Sequence, residues 1–521
     1  MTGFPYLSVL TAVPVAGAVI VLAAGGRNKN VARWLAVGFS LLALAMTLLL
    51  WHCFNGATGA MQFEERHVWV AMLGADYRVG IDGLGLLMLL LSAIVVPIAM
   101  AASWQIEQRV PLYFALVLLL QACLFGTFTA LNFFHWFIFW ELSLIPAFFL
   151  IRIWGGARRT PAAMQFLVYT MVGSVAMLLA FLALFLATRM FDFSELAALA
   201  QSGQLMPAVT AKLAGHHFLT PQHLAMLIFA GAFLGFAVKV PMVPFHTWLP
   251  DAYAEAPTGT TILLTGAMSK MGVYGFLRIL LPIFGAQMQQ VLTPLLWLAV
   301  ATIVLSAYSA LAQKDLKRIF AYSSVNHLGY CLLAIFAVLK FTGNDAALLS
   351  QKYAAMNGAM LQMFNHGLTA ATVFWFLALL EKRSGGLLGR NDFGGLRKVV
   401  PVMAGLMGIA LFSMLGLPGL NGFVGEFLIF KGAFPLATWA SSLSVLGLLV
   451  TAIFILGVIQ RVFTGALNPR WAAMPDLTTG ERVALAPAIA LMFAVGLYPQ
   501  MVLAVVNSTA MQIVQQVKLA F

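Results

Sequence analysis

Charged side chains are scarce in this sequence. Asp, Glu, Lys and Arg together make up 9% of its 521 residues, whereas hydrophobic residues make up 62% and the mean hydropathy is +0.94. A soluble globular domain carries about a quarter charged residues. The composition therefore excludes a soluble enzyme and predicts an all-α polytopic membrane protein.

Cysteine and redox motifs are also lacking. Cys53, Cys123 and Cys331 are scattered and form no Cys-x-x-Cys pair, and no flavin or nucleotide motif is present. We therefore expect no metal and no bound cofactor in this chain. The start lacks a charged region followed by a small-residue cleavage site, so residues 5–25 are expected to remain as a span. The net charge of +12 lies in short loops between apolar runs, so it does not indicate nucleic acid.

Long apolar runs make up most of the chain. A helix needs roughly 20 apolar residues to cross a bilayer. The runs that meet this rule are numbered here as predicted spans 1–14: residues 5–25, 32–52, 83–103, 112–131, 133–151, 162–189, 223–247, 257–280, 290–312, 319–339, 356–381, 400–430, 442–464 and 483–506. Residues 55–82 and 190–222 are long polar connections, and alternation around HVWVAML predicts a short hairpin in the first. We expect an interfacial tail beyond residue 506.

The distribution of basic residues supports this count. The connections after odd-numbered spans hold eighteen of the 29 Lys and Arg residues, whereas those after even-numbered spans hold seven. By the positive-inside rule, the odd connections are cytoplasmic and both termini lie on the non-cytoplasmic side. An error in the number of spans early in the chain would have distributed the basic residues over both kinds of connection.

Two of the apolar runs are broken. Pro241 and Pro244 interrupt span 7, and Pro418 lies among glycines in span 12. Broken helices at corresponding places in two halves indicate an inverted-repeat transporter with its ion path near the membrane midplane. We therefore predict helices 1–3 in residues 1–110, two inverted five-helix repeats in 111–285 and 286–466, and helix 14 with a tail in 467–521.

A few ionisable residues lie inside the apolar runs. The acids are Glu141 and Glu426, and the clear bases are Lys239 and Lys270. A charge in hydrocarbon costs a few kcal/mol and is a functional hypothesis by default. A buried charge is costly unless it is paired, so we expect Glu141 to form an ion pair with Lys239. The negative carboxylate favours the protonated lysine, so moving it away would make the lysine release its proton. A static ion pair that fixes helix packing is the alternative, which the neighbouring Pro241 disfavours.

Histidines supply further candidates. His246 follows the first break, and His327 and His366 lie in later apolar runs beside small or hydroxyl residues that leave room for water. Imidazole titrates in the range that a proton relay needs. A lone buried histidine is usually ordinary packing, but with the lysines and acids these residues predict a relay.

Arg278 is expected to extend to the membrane interface, and the basic cluster 314–318 to be a positive-inside anchor.

Five motifs are long enough to compare with known proteins: FAVKVPMVPFHTWLPDAYAEAPT, LLTGAMSKMGVYGFLRI, SALAQKDLKRIFAYSSVNHLGY, MLQMFNHGLTAATVFWFLALL and GLPGLNGFVGEF. They resemble the antiporter-like subunits of respiratory complex I and related cation/proton antiporters, over residues 80–465. The resemblance implies a half-channel in each repeat, joined by a hydrophilic axis at mid-membrane depth. It also implies roles for individual residues: a first pair of Glu141 and Lys239, a central Lys270, a connecting His327, a second site at Glu426, and weaker roles for His246 and His366.

The resemblance implies a proton-translocating subunit of an NADH–quinone oxidoreductase in the bacterial inner membrane. NADH, FMN, iron–sulfur clusters and quinone would belong to partner subunits, and the neighbours would be other membrane subunits, including antiporter-like ones, together with lipids. Related subunits usually have lysine at the position of Glu426, so the glutamate favours one type of complex I subunit. The alternatives are a subunit of a multisubunit cation/proton antiporter, a ferredoxin- or hydrogenase-linked complex, and a structural scaffold. The polar stretch 341–358 departs from the family's pattern.

Overall fold

The computed structural model describes residues 4–26, 28–70, 75–213, 220–340, 343 and 345–519. Most of these residues are helical, and one β-hairpin lies near the start of the chain. The elements are α1 Tyr6–Ala24, α2 Lys29–Cys53, β1 Gln62–Val70, β2 Ala75–Ile81, α3 Gly83–Ala102, α4 Val110–Thr129, α5 Phe133–Leu142, α6 Leu144–Trp154, α7 Arg159–Thr188, α8 Phe193–Gln201, α9 Leu205–Leu213, α10 Pro221–Lys239, α11 Trp248–Glu255, α12 Thr258–Leu263, α13 Lys270–Gly275, α14 Leu281–Gln290, α15 Leu292–Ala312, α16 Leu316–Ala337, α17 Ala346–Ser384, α18 Pro401–Met414, α19 Asn421–Leu436, α20 Thr438–Phe463, α21 Thr479–Leu497 and α22 Gln500–Leu519. Short 3-10 turns cover Leu396–Lys398 and Pro469–Trp471, and π-helical turns cover Leu264–Met268 and Phe276–Leu280.

The helices confirm the predicted membrane protein. Thirteen helical stretches within the described residues are long and apolar enough to cross a membrane. They correspond to predicted spans 1–11, 13 and 14. Span 12 is divided between α18 and α19, which completes the prediction of about fourteen spans. The four predicted segments and their boundaries stay a prediction.

Several predicted boundaries were wrong, and span 8 runs to Gln290 rather than to 280. Span 11 begins at Ala346 rather than at 356, because the Asp345 side chain accepts from the N–H groups of Ala347 and Leu348 and starts α17 there. Most of the polar stretch 341–358 is therefore helix, with 341, 342 and 344 outside the described residues. Span 14 ends at Leu497, and α22 begins after Pro499, so the residues expected to form a tail belong to a separate helix.

The predicted hairpin is present in the first polar connection. Strand β1 pairs antiparallel with β2, and residues 71–74 between them lie outside the described residues. The Glu65 carboxylate of β1 accepts from the backbone N–H groups of Leu7 and Ser8, at 2.7 and 3.3 Å. The first N–H groups of a helix have no partner within the helix, so this contact fixes the start of α1 to the hairpin. The second connection holds α8 and α9, with residues 214–219 outside the described part.

Both predicted helix breaks are confirmed. Helix α10 ends at Lys239, and α11 begins only at Trp248, after Pro241 and Pro244. Between α18 and α19 the chain is unwound over 415–420, where Gly416 and Gly419 have φ angles of 79° and 93°. This left-handed conformation favours glycine because a side chain would be strained there. A third break, at Ser143 between α5 and α6, was not predicted.

Glycines bring α17 and α19 into backbone contact. A Cβ atom added at Gly358 of α17 would lie 2.5 Å from the Ile429 nitrogen of α19, and one added at Gly432 would lie 2.4 Å from the Ala355 nitrogen. Small residues allow helices in a membrane to approach this closely. The approach holds Glu426 of α19 against α17.

We expect Gly358→Ala to destabilise the fold, because its methyl group would meet backbone that cannot rotate away. Overpacking of this kind costs about 1–3 kcal/mol. The control is Gly408→Ala on α18, where an added Cβ meets nothing within 4 Å and alanine is the better helix former. Thermal unfolding of the purified protein in detergent measures both variants. Equal melting temperatures for the two would contradict the close contact of α17 and α19.

Candidate proton relay

Lys270 is the most enclosed charged side chain of the predicted row. It begins α13 directly after the π-helical turn Leu264–Met268, and its relative exposure is 0%. Its Nζ atom lies 2.8 Å from His366 Nδ1, 2.5 Å from the Thr265 carbonyl oxygen and 3.4 Å from Ser269 Oγ. A buried ammonium needs such partners to offset the loss of water. π-Helical turns frequently occur at functional sites, and here the turn supplies the Thr265 carbonyl oxygen, while Ser269 directly follows it.

Three further residues continue the row from Lys270. The His366 ring of α17 lies beside the His327 ring of α16, with centroids 5.2 Å apart. His327 Nδ1 is 3.0 Å from Glu426 Oε1, and Gln362 Nε2 donates to the same oxygen at 3.2 Å. All of these side chains are buried. The structure therefore joins four predicted residues, Lys270, His366, His327 and Glu426, into one continuous polar row.

Each histidine in the row has one ring nitrogen without a protein partner. Nδ1 of His366 faces Lys270 and Nδ1 of His327 faces Glu426, whereas both Nε2 atoms are buried and unpartnered among the described residues. Buried polar atoms are normally hydrogen-bonded to protein or to ordered water. An imidazole can accept a proton at one nitrogen and release another from the second. The arrangement suits proton transfer better than static packing.

A polar network next to the row was not predicted. Asn421, the first residue of α19, accepts from Ser413 Oγ at 2.5 Å and donates to Thr369 Oγ1 at 3.2 Å, and Asn365 Nδ2 donates to its carbonyl oxygen at 2.6 Å. These contacts fasten the unwound segment 415–420 to α17 beside His366. The signal in the sequence was an asparagine directly after a glycine-rich break inside an apolar run.

Lys239 occupies a different environment in the first half of the chain. It ends α10, is 3% exposed, and its Nζ lies 4.8 Å from the Trp140 ring centroid and 3.4 Å from Ser143 Oγ. An ammonium over an indole ring is attracted by the ring's negative face. Trp140 and Ser143 lie on either side of Glu141 in the sequence, so the lysine faces the helix that carries the predicted partner.

The direct ion pair expected between Glu141 and Lys239 is not formed among the described residues. The two groups interact electrostatically through space, and Glu141 Oε1 is buried with no hydrogen-bond partner in the part of the chain that the structure describes. The Lys239 ammonium contacts the Ser143 hydroxyl instead of the Glu141 carboxylate that was predicted to pair with it. The Glu141 carboxylate is therefore near Lys239 but forms no direct ion pair with it.

The two lysine-bearing helices meet at a glycine. A Cβ atom added at Gly272 would lie 2.8 Å from the Val240 nitrogen and 3.1 Å from the Lys239 carbonyl carbon. Because Gly272 follows Lys270 by two residues, α13 crosses the end of α10 next to both lysines. His246 is not part of this arrangement. It is half-buried, its ring lies 6.2 Å from that of Tyr322, and within the described residues it has no hydrogen bond to the row.

Several basic residues have acidic partners that were not predicted. Arg278 forms an ion pair with Asp82, the residue before α3, and its expected extension to the interface stays a prediction. Lys317 of the predicted positive-inside anchor is buried and lies 3.1 Å from Glu381 at the end of α17. Arg318 forms an ion pair with Asp251 at 2.5 Å. These acidic partners are distant in sequence.

Metal binding finds no support in the described residues. They contain no group of three or more His, Cys, Asp or Glu side chains that could hold an ion. The three cysteines are free, and Cys123 and Cys331 are buried. The site is built from proton-carrying side chains.

Comparison with known proteins agrees with this geometry. Residues 130–454 match the family model described as NADH:quinone oxidoreductase/Mrp antiporter, TM. The chain is 34% identical to the NADH-quinone oxidoreductase subunit M of Rhodobacter capsulatus, over 98% of this chain and 96% of that protein. It is 35% identical to the F(420)H(2) dehydrogenase subunit M of Methanosarcina mazei, over 96% of both chains.

A solved structure shows the same fold. A chain of respiratory complex I from Thermus thermophilus matches with a TM-score of 0.82 and 26% identity, over 98% of this chain and 99% of that one. The resemblance to the antiporter-like subunits is thereby confirmed, as is the subunit type that Glu426 favoured, since the first relative is a subunit M. The chain belongs to the NADH:quinone oxidoreductase/Mrp antiporter membrane-subunit family.

Proposed function

We propose that this chain is a proton-translocating membrane subunit of an NADH–quinone oxidoreductase, of the subunit M type. The continuous buried row from Lys270 through His366 and His327 to Glu426 carries this conclusion. The match to subunit M of Rhodobacter capsulatus, over nearly the full length of both chains, supports it. The proposed location is the bacterial inner membrane, with both termini on the non-cytoplasmic side.

Proton movement would begin at Glu141. Quinone reduction in partner subunits changes the electric field at this carboxylate, and the Lys239 ammonium then passes its proton towards Lys270. The proton continues through the two histidines to Glu426 and leaves the membrane. Moving one charge against 100 mV costs about 2.3 kcal/mol. A change of about two pK units in proton affinity corresponds to about 2.7 kcal/mol, which is enough to drive the step.

Electron transfer would take place outside this chain. In this proposal, NADH, FMN, the iron–sulfur clusters and quinone belong to partner subunits, as the resemblance to complex I subunits implies. Ile145 and Phe149 of α6 are exposed, and they follow Glu141 in the sequence at intervals of four residues. An apolar surface of this kind in the membrane is covered by lipid or by a neighbouring subunit, and a neighbour there would place its charges next to Glu141.

A different electron donor is the second candidate. The similarity to the F(420)H(2) dehydrogenase subunit M equals that to the NADH-linked relative. The donor would be set by the soluble partner subunits. Oxidation of NADH by the purified complex supports the first candidate, and oxidation of reduced F420 alone supports the second. Sodium-coupled proton movement without any electron donor would instead support the antiporter alternative.

We expect Glu141→Gln to remove at least about nine-tenths of the coupled proton movement and to slow quinone reduction, because the amide cannot change its charge. The measurement is donor-driven acidification of proteoliposomes that contain the assembled complex. Glu195→Gln, an exposed acid on α8, is the matched control and should behave as the unchanged protein. Normal pumping by an assembled Glu141→Gln complex would refute the role of Glu141.

The histidines should differ in the same assay. His366→Leu removes the ring that faces Lys270 and should reduce proton movement about tenfold or more. His246→Leu removes a half-buried ring outside the row and should retain most of it. The comparison also tests the predicted role of His246. If His246→Leu lowers proton movement as strongly as His366→Leu, the path includes the first break.

A further inference from the structure

Lys270 lies on a helix whose polar side chains continue past it towards one end of the bundle. Tyr274 and Arg278 follow at intervals of four residues, which places them on the same helix face. The π-helical turn Phe276–Leu280 includes Arg278. Eight residues of helix separate Lys270 from Arg278, a rise of about 12 Å. The relay, in contrast, leaves Lys270 sideways, through His366.

The face beyond Lys270 ends at a polar pocket. Arg278 and Asp82 line a cavity of about 260 Å³, together with Ser194, Thr509 and Gln512. Ser194 and Gln512 are exposed, so this pocket reaches the surface of the protein. A proton on Lys270 could therefore also reach water along its own helix. A pump that used this second way would lose the proton before it reached Glu426.

Two features close this second way. The Tyr274 ring packs on Phe128 with centroids 5.1 Å apart, and its hydroxyl donates to the Phe128 carbonyl at 3.1 Å. Beyond it, Arg278 Nε donates to the Tyr274 hydroxyl at 3.3 Å, and Arg278 Nη2 forms the ion pair with Asp82. Asp82 also accepts from the Gly85 N–H at the start of α3. Arg278 thus bridges the Tyr274 hydroxyl and the Asp82 carboxylate, and Tyr274 lies between Lys270 and Arg278 along the helix.

We propose that Arg278, held in place by Asp82, is an electrostatic barrier that prevents protons on Lys270 from escaping into the pocket. This rests on the proposed function. A guanidinium keeps its charge at every pH at which the protein works, and a fixed positive charge in a pore repels protons. Tyr274 fills the space between the two cations and leaves its hydroxyl bonded to backbone. Arg278 is a positioning residue here, because it directs the proton without carrying it.

A purely structural ion pair would behave differently. It predicts that Arg278→Gln and Asp82→Asn do similar harm, since each leaves one buried partner alone. The barrier predicts opposite results. Arg278→Gln removes the positive charge and leaves the Asp82 carboxylate, which attracts a proton, whereas Asp82→Asn leaves the positive charge in place.

The experiment measures passive proton leak through proteoliposomes that contain the assembled complex. A potassium gradient with valinomycin supplies the membrane potential, and no electron donor is added. Arg278→Gln should increase the leak several-fold, whereas Arg278→Lys should leave it unchanged because the charge is kept. Asp82→Asn should also leave it unchanged, because the amide oxygen can still accept a hydrogen bond from the guanidinium and keep it in place. Adding Lys270→Leu to Arg278→Gln should abolish the extra leak, because the proton would then have no site from which to enter.

Two results would overturn the barrier. One is an Arg278→Gln complex that assembles and leaks no more than the unchanged protein. The other is an equal leak from Arg278→Gln, Arg278→Lys and Asp82→Asn, which indicates a packing defect. Donor-driven pumping by the unchanged complex is measured on the same vesicles. If that pumping is absent, the proposed function is wrong. If the pumping is present and the Arg278→Gln complex shows no increased proton leak, only the proposed barrier is wrong.

Discussion

The contact between Lys270 and His366 is the interaction on which the rest of the site depends. An ammonium group sealed in an apolar bundle must find polar partners within the protein, because no bulk water reaches it. The structure meets this need with a ring nitrogen, a carbonyl oxygen and a hydroxyl group. One of the three, the imidazole, can itself take the proton. The group that stabilises the buried charge is thus the group that can carry it further.

The irregular stretches of helix supply the geometry of this contact. The π-helical turn before Lys270 directs a backbone carbonyl to its ammonium, the break after Lys239 ends α10 where α13 crosses it, and the unwound segment 415–420 starts the helix that carries Glu426. Regular helices satisfy all of their own backbone groups and leave none for a proton path. Glycines at 272, 358 and 432 then allow the helices to approach until the side chains meet.

The sequence predicted the parts of this arrangement that depend on composition and local pattern. Apolar length gave the spans, proline and glycine gave both breaks, and rarity of charge gave the four residues that the structure joins into a row. It could not predict which charges pair across the bundle. The ion pair between Arg278 and Asp82, for example, joins residues that are 196 positions apart, and no local pattern marks it. The break between α5 and α6 was not predicted, although Pro146 lies three residues after Ser143 and has no N–H to donate to the Leu142 carbonyl in a continuous helix.

The central claim is that Glu426 receives a proton that has passed the two histidines. Infrared difference spectroscopy of the working complex, with isotope-labelled glutamate, tests it most directly. The account predicts a carboxylic acid band that appears during turnover, is absent in Glu426→Gln and disappears when the His327 ring is replaced by leucine. A complex that pumps protons while the Glu426 carboxyl group shows no change in protonation would contradict it.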